Sequence, residues 1–271
     1  MRAVMAARKH TAPRSIDKIP ICGIIGGINT KEILTMDHTI RAILFDMDGT
    51  LLANDMDVFL PHYFAALSAH VADIIQPDQF MARLMQATEM MLANKGQMTN
   101  EEAFAGTFYP LAGRSREEME AIFLEFYAKE FPSLQQYTQR LPEARQVVHL
   151  AIDLEYDVVI ATNPLFPATA VEQRLTWAGV ADFPYSLVTT YENSCATKPN
   201  LLYFEQVLAA IGHTPEASLV VGDEDMDMVA GHLGCRTFLV PGSRTNLAPT
   251  TPAPTYQGTL ADVGALLKKW G

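Results

Sequence analysis

The sequence predicts an α/β fold, a parallel sheet of about five or six strands flanked by helices, with an all-helical block inserted after the first strand. Three observations carry this. Short apolar runs at 42–45, 157–162, 187–189, 219–221 and 237–240 have the length of buried strands, and from residue 141 onward they alternate with helical stretches. Between residues 56 and 140 helical periodicity continues without a strand pattern. At 271 residues and 49% hydrophobic content, the chain can bury one substantial core with a smaller second unit. The expected division is a core from 40–55 and 141–271, a helical insert at 56–140, and an extension at 1–39.

In the extension, Arg2, Arg8, Lys9, Arg14 and Lys18 precede an apolar patch at 19–28 that Pro20, Gly23, Gly26 and Gly27 interrupt. The basic region is too long for a signal peptide and no small-x-small cleavage site follows. Residues 1–39 are therefore expected to be disordered or to precede the true start, for which Met36 is well placed. The first strand, 42–45, is apolar at every position, as a strand covered on both faces requires.

The insert shows Phe59, Tyr63, Phe64 and Leu67 at helical spacing, then Phe80, Leu84, Met85 and Met91. Helix starts are expected at Thr99 and at Ser115, where Glu118 three residues on completes a capping box. The break between them is at 111–115, and the abundant methionines read as packing material. In the core, helices are expected from Pro142 to about 155 and over 168–178, 201–211 and 226–233. Gly179 and Gly212 stop two of them. Residues 243–257, rich in Pro and Thr, read as irregular, and Thr259 with Asp262 caps a last helix ending near Trp270.

A net charge of −11 argues against nucleic acid or an anionic membrane as the main partner. No apolar run approaches the roughly 18–20 residues that span a bilayer. Cys22, Cys195 and Cys235 are odd in number and far apart, which fits reduced thiols and a cytoplasmic location better than a disulfide framework. The seven histidines show no zinc-ligand spacing. Oligomeric state leaves no signal.

Four polar signatures fall at or just after the carboxyl ends of expected strands. These are Asp46 and Asp48 with the Gly49-Thr50 turn; Thr162 and Asn163; Lys198-Pro199; and the stretch from Gly222 and Asp223 to Asp227. In a parallel sheet these ends share one edge, where α/β proteins bind ligands. Each signature alone is weak, since a strand-end Thr is usually a turn and a Lys-Pro usually a solvated loop. Together they crowd Asp46, Asp48, Asp223, Glu224, Asp225 and Asp227 near a single lysine, Lys198. Even with Glu224 or Asp225 turned to solvent, like charges so close cannot all stay ionised unaided. A divalent cation held by Asp46, Asp48 and Asp223 resolves this, and Mg²⁺ suits few carboxylates plus water and phosphate.

In this order the four signatures resemble the motifs of the haloacid dehalogenase (HAD) superfamily, over roughly residues 40–271. The helical block resembles the C1-type cap of the phosphoglycolate phosphatase and β-phosphoglucomutase branch, as does Glu192 ahead of Lys198-Pro199. The resemblance implies a Rossmann-like core and a phosphatase of small phosphorylated metabolites. Asp46 would be the nucleophile forming an aspartyl-phosphate, and Asp48 the general acid and base. Gly49, Thr50, Thr162, Asn163 and Lys198 would bind the phosphoryl group. Asp46, Asp223 and the Asp48 carbonyl would hold Mg²⁺, with Asp227 behind them.

Dehalogenases of the superfamily lack an acid at position 48, because halide leaves without a proton, so Asp48 points to phosphate esters. A β-phosphoglucomutase-like isomerase is the alternative. A phosphonate hydrolase, which needs a cap lysine where only Lys95 and Lys129 are on offer, and a non-catalytic binding module come behind it. The cap would act as a mobile lid, and Arg83, Lys95, Arg114 and Arg116 are its candidates for substrate contact.

Overall fold

The computed structural model describes residues 19–23 and 40–271. Along the chain the strands are β1 (Ala42–Phe45), β2 (Leu52–Ala53), β3 (Gln139–Arg140), β4 (Asp157–Ile160), β5 (Leu187–Val188), β6 (Ser218–Gly222), β7 (Arg236–Leu239) and β8 (Tyr256–Gln257). Six of them form one parallel sheet in the order β5-β4-β1-β6-β7-β8. Strand β1 lies between β4 and β6, and all four of its residues are buried. Ile43 and Phe45 face one apolar core, Ala42 and Leu44 the other, as the two-residue period of a strand dictates. Phe45 stands in register with Ile160 and Val221, so the residues that follow all three leave the sheet at one edge.

Strand β8 lies within the stretch expected to be irregular. It contributes only Tyr256 and Gln257, paired with Phe238 and Leu239, too short a segment to show a period amid Pro and Thr. The core helices are α5 (Pro142–Asp153), α6 (Ala168–Ala178), α7 (Leu201–Ile211), α8 (Asp225–Met228) and α9 (Leu260–Trp270), numbered after four in the insert. The helix expected over 226–233 is α8 followed by a 3-10 turn, Val229–Leu233.

The insert comprises α1 (Met56–His70), α2 (Pro77–Leu92), α3 (Asn100–Ala112), α4 (Arg116–Lys129) and a 3-10 segment, Phe131–Tyr137. Thr99 and Ser115 form the capping boxes of α3 and α4 with Glu102 and Glu118. The chain enters and leaves the insert through β2 and β3, which pair antiparallel with Leu52 opposite Arg140. Phe131 stacks on Trp177 of α6 at 5.3 Å, and Phe59 of α1 lies 6.4 Å from the same ring. The start of α3 also touches the core: the Asn100 backbone N–H donates to the Ser194 carbonyl at 2.8 Å, and its side chain to the Pro164 carbonyl at 3.1 Å.

Two expectations about the termini and thiols change. Within residues 19–23, inside the extension expected to be disordered, Ile21 is buried and its N–H donates to the Asn193 carbonyl at 2.8 Å, while Ile19, Pro20 and Gly23 are exposed. The remainder of that expectation, Met36 included, lies outside the described residues. Cys22 and Cys195 are joined in a disulfide, and Cys235 is a buried free thiol. Their separation of 173 residues hides a contact that exists only once the loop after β5 folds back against the sheet. Among the described residues no helix is long and apolar enough to cross a membrane.

Candidate active site

Asp46 is the first residue after β1, and its N–H donates to the Val221 carbonyl at 2.8 Å, which holds it at the sheet edge. Lys198 arrives from the loop after β5, with its Nζ 2.7 Å from Asp46 Oδ1 and 2.5 Å from Asp227 Oδ1. The lysine side chain is fully buried. Its backbone N–H donates to Asn163 Oδ1 at 3.2 Å, and its bond to Pro199 is cis. Asp223, after β6, accepts from the Thr50 hydroxyl at 3.1 Å. Gly49, at φ +86°, lets the first loop pass against Asp223, where a Cβ would stand 2.3 Å from its Oδ2.

Carboxylate oxygens of Asp46, Asp223 and Asp227 thus lie within 4.8 Å of one another. Three buried acids share one lysine, and their protonation reflects it. Burial raises Asp46 well above the ordinary carboxylate range, Lys198 draws it back, and Asp227 and Asp223 push it up again. Burial, then Asp227 and Glu224, push Asp223 up to about 7. Burial works against the charge on Lys198, but Asp227 and Asp46 outweigh it and raise its pKa. A buried, oxygen-only donor set with surplus negative charge fits a hard divalent cation.

Asp48 stands apart from this cluster. Its Oδ2 pairs with Nη1 of Arg174, from α6, and its Oδ1 accepts from Asn54 Nδ2 at 2.7 Å. Of the side chains expected at the metal, Asp46 and Asp223 meet in the cluster; Asp227, expected behind them, joins it, while Asp48, expected there through its backbone carbonyl, keeps its side chain apart. Asp227 joins the cluster because Lys198 bridges it to Asp46, and the Asp48 side chain is diverted by Arg174. Glu224 pairs with Arg244 at 2.9 Å, and Asp225 accepts from the Ala248 N–H at 2.8 Å, so neither joins it. Thr50 serves Asp223. Thr162 is buried, with its carbonyl accepting from the hydroxyls of Thr189 at 2.8 Å and Tyr203 at 3.0 Å.

A pocket of roughly 200 Å³ opens on Asp46, Asp48, Thr162, Asn163 and Asp227. From the insert only Met56 and Leu60 line it. Arg83, Lys95, Arg114 and Arg116 do not reach it; Arg116, for one, pairs with Glu101 and Glu120 on the surface. Lys129 pairs with Glu125, also away from the pocket. Glu192 accepts the Ala168 N–H with both oxygens, at 3.0 and 2.9 Å, and so anchors the start of α6. Sequence reasoning missed Asn54, Arg174 and Arg244. Arg174 left a signal, since a charge at that position interrupts the buried stripe of Val171, Leu175 and Ala178 on α6.

Comparison with solved structures agrees on the fold. A 2-haloacid dehalogenase from Pseudomonas syringae pv. Tomato superposes with a TM-score of 0.58 at 20% identity, covering 86% of this chain and 100% of that one. A HAD phosphatase from Thermococcus onnurineus gives 0.52 at 20% identity, over 84% and 98% of the two chains. A predicted phosphoglycolate phosphatase from Haemophilus somnus gives 0.52 at 18%, over 86% and 99%. No curated protein sequence matches the chain. The profile of the haloacid dehalogenase-like hydrolases, however, matches residues 40–233. That span holds the central strands, the insert, and every side chain that meets around Asp46 and Lys198, and on it the chain belongs to the haloacid dehalogenase-like hydrolases.

Proposed function

We propose that the protein is a Mg²⁺-dependent phosphatase of a small phosphorylated metabolite, in the phosphoglycolate phosphatase-like branch with a C1-type cap. The observation that carries this reading is Asp48, an acid that lines the pocket beside Asp46 but lies outside the carboxylate cluster. A proton carrier is needed there only if the leaving group is an oxygen; halide leaves without one.

In this reading Asp46 attacks phosphorus in line, the bond to the leaving oxygen breaks, and Asp48 gives that oxygen its proton. Asp48 then takes a proton from the water that attacks the aspartyl-phosphate, which releases phosphate and restores Asp46. Lys198, already against Asp46, offsets charge as the nucleophile is consumed. Thr162 and Asn163, which line the pocket, would hold phosphoryl oxygens in this reading, while Gly49 and Thr50 fix Asp223. Asp46, Asp223 and Asp227 would hold Mg²⁺, which when bound supplies positive charge for the phosphoryl oxygens. The insert, resting on the Ser194 and Pro164 loops, excludes water from the pocket. The cytoplasmic location expected from the sequence stays with this reading, and the Cys22–Cys195 bond is the feature that weighs against it.

The test is a screen of phosphorylated metabolites and 2-haloacids with Mg²⁺ and with EDTA, following phosphate and halide separately. Phosphate release that needs Mg²⁺ is expected. Halide release, or phosphate release surviving complete metal removal, would overturn the reading. Interconversion of sugar phosphates under a bisphosphate activator, with little net hydrolysis, would make the enzyme the isomerase.

A further inference from the structure

Asn100 opens α3 in the insert, yet its side chain is fully buried. Its Nδ2 donates to two carbonyls of the core, Pro164 at 3.1 Å and Ala196 at 3.3 Å, and its Oδ1 accepts from Asn94 Nδ2 at 2.8 Å. The two amide protons thus have two acceptors and the amide oxygen a donor. A buried polar group satisfied on every side holds its neighbours in one arrangement, because any other leaves it unpaired. The backbone adds to the grip. A helix start leaves N–H groups without acceptors inside the helix, and here those of Asn100 and Glu101 donate to the Ser194 carbonyl at 2.8 Å and the Tyr191 carbonyl at 2.9 Å.

The two carbonyls that share Nδ2 belong to two loops of the site. Pro164 follows Asn163 after β4, and Ala196 lies two residues before Lys198 after β5. Beside the site the same loops are joined by the Lys198 N–H, which donates to Asn163 Oδ1 at 3.2 Å. Their spacing decides where the Lys198 amine stands relative to Asp46, now 2.7 Å away. Asn100 itself does not line the pocket. We propose that Asn100 is a positioning residue for Lys198: by bridging the Pro164 and Ala196 carbonyls, the insert sets the lysine against the nucleophile. The inference rests on the phosphatase reading for the reaction that Lys198 serves. The insert then acts on the chemistry through the backbone of two core loops, without touching substrate at this point.

The test uses the full-length protein with Mg²⁺ and two readouts. Amide hydrogen exchange, followed by mass spectrometry, reports the loops. Phosphate release from p-nitrophenyl phosphate reports the chemistry; its leaving oxygen departs readily without a proton, so the rate follows attack by Asp46 beside Lys198. Asn100→Ala should speed exchange over residues 191–198 by about tenfold and leave β1 and β6 as in the wild type. It should also lower kcat by about tenfold or more while KM changes by less than about threefold, since displacements near 1 Å can cost about 10²-fold in rate. Asn100→Asp, equal in size but with an oxygen facing both carbonyls, should do the same. Phe108→Leu, in the apolar core of the insert, should lower the melting temperature and leave both readouts alone. If the Asn100 variants do not fold, Asn94→Ala decides: its hydrogen bonds stay within the insert, and freeing the Asn100 amide should move both readouts by about threefold. Unchanged exchange over 191–198, unchanged kcat, or both effects reproduced by Phe108→Leu would overturn the proposal. A wild type that releases no phosphate would discard the phosphatase reading and leave exchange to decide; equal turnover by wild type and Asn100→Ala would keep that reading and discard this one.

Discussion

The catalytic edge of the core and the helical insert use charge in opposite ways. At the edge, Lys198 reaches across 152 residues to Asp46, and Arg174 across 126 to Asp48, with both cations buried. In the insert, Arg116 pairs with Glu120 and Lys129 with Glu125, each one helical turn away and in water. Surface pairs of the second kind contribute roughly 0–1 kcal/mol, whereas breaking one partner of a buried pair costs about 3–5 kcal/mol. Charge in the core is thus held where only function gives a reason to desolvate it, and charge in the insert keeps the surface wet. The difference teaches that the polar groups of the pocket come from the core side, because the insert lends it only the apolar Met56 and Leu60.

The sharpest way to break this contrast is Asp46→Asn. Phosphate release should fall by about 10³-fold or more while the circular dichroism spectrum stays unchanged; retained turnover would mean that the buried charges are structural only. Gly49→Ala comes next. Its Cβ would stand 2.3 Å from Asp223 at a backbone φ of +86°, so strain of about 1–3 kcal/mol and displacement of Asp223 are expected. An alanine enzyme with wild-type melting temperature and unaltered Mg²⁺ requirement would show that the close approach carries no constraint.

A third, smaller effect comes from pH. In metal-free protein Asp223 keeps its proton to about 7, against about 3.8 when exposed, so between these values the native state binds more protons than the unfolded chain. Stability should therefore fall as pH rises from about 4 to about 7, and Mg²⁺, which needs the ionised form, should stabilise more at pH 8 than at pH 5. Thermal melts with EDTA or Mg²⁺ at both pH values measure this, and an equal Mg²⁺ effect at the two would place the cation elsewhere. The smallest effect belongs to Arg116→Ala in the insert, which should change stability by about 0.5 kcal/mol or less and leave KM alone. A raised KM would return the insert's charges to the site.

Legibility followed the same divide. Strand β1 and the loops carrying Asp46 and Asp223 could be read because a buried strand running into acid and glycine is a local pattern, repeated at one sheet edge, while Lys198 is marked only by the proline after it. The capping boxes at Ser115 and Thr259 were equally local. What could not be read depends on packing between distant segments. Asp48 turns to Arg174 because α6 lies beside the first loop, and Asp227 enters the cluster because Lys198 lies between it and Asp46. The two-residue strand β8 and the union of Cys22 with Cys195 likewise exist only through tertiary neighbours.

That union gives the polypeptide a closed circuit. The ring it makes, with its ends 173 positions apart in sequence, contains β1, the whole insert, β4 and β5, and leaves α7 through α9 as a tail. Closing a ring of this size removes conformations from the unfolded chain worth about 5 kcal/mol in the chain-entropy description. A protein begun at Met36 would keep every residue around Asp46 and yet be a linear chain, so its catalytic centre and its resilience to heat are separable properties of one molecule.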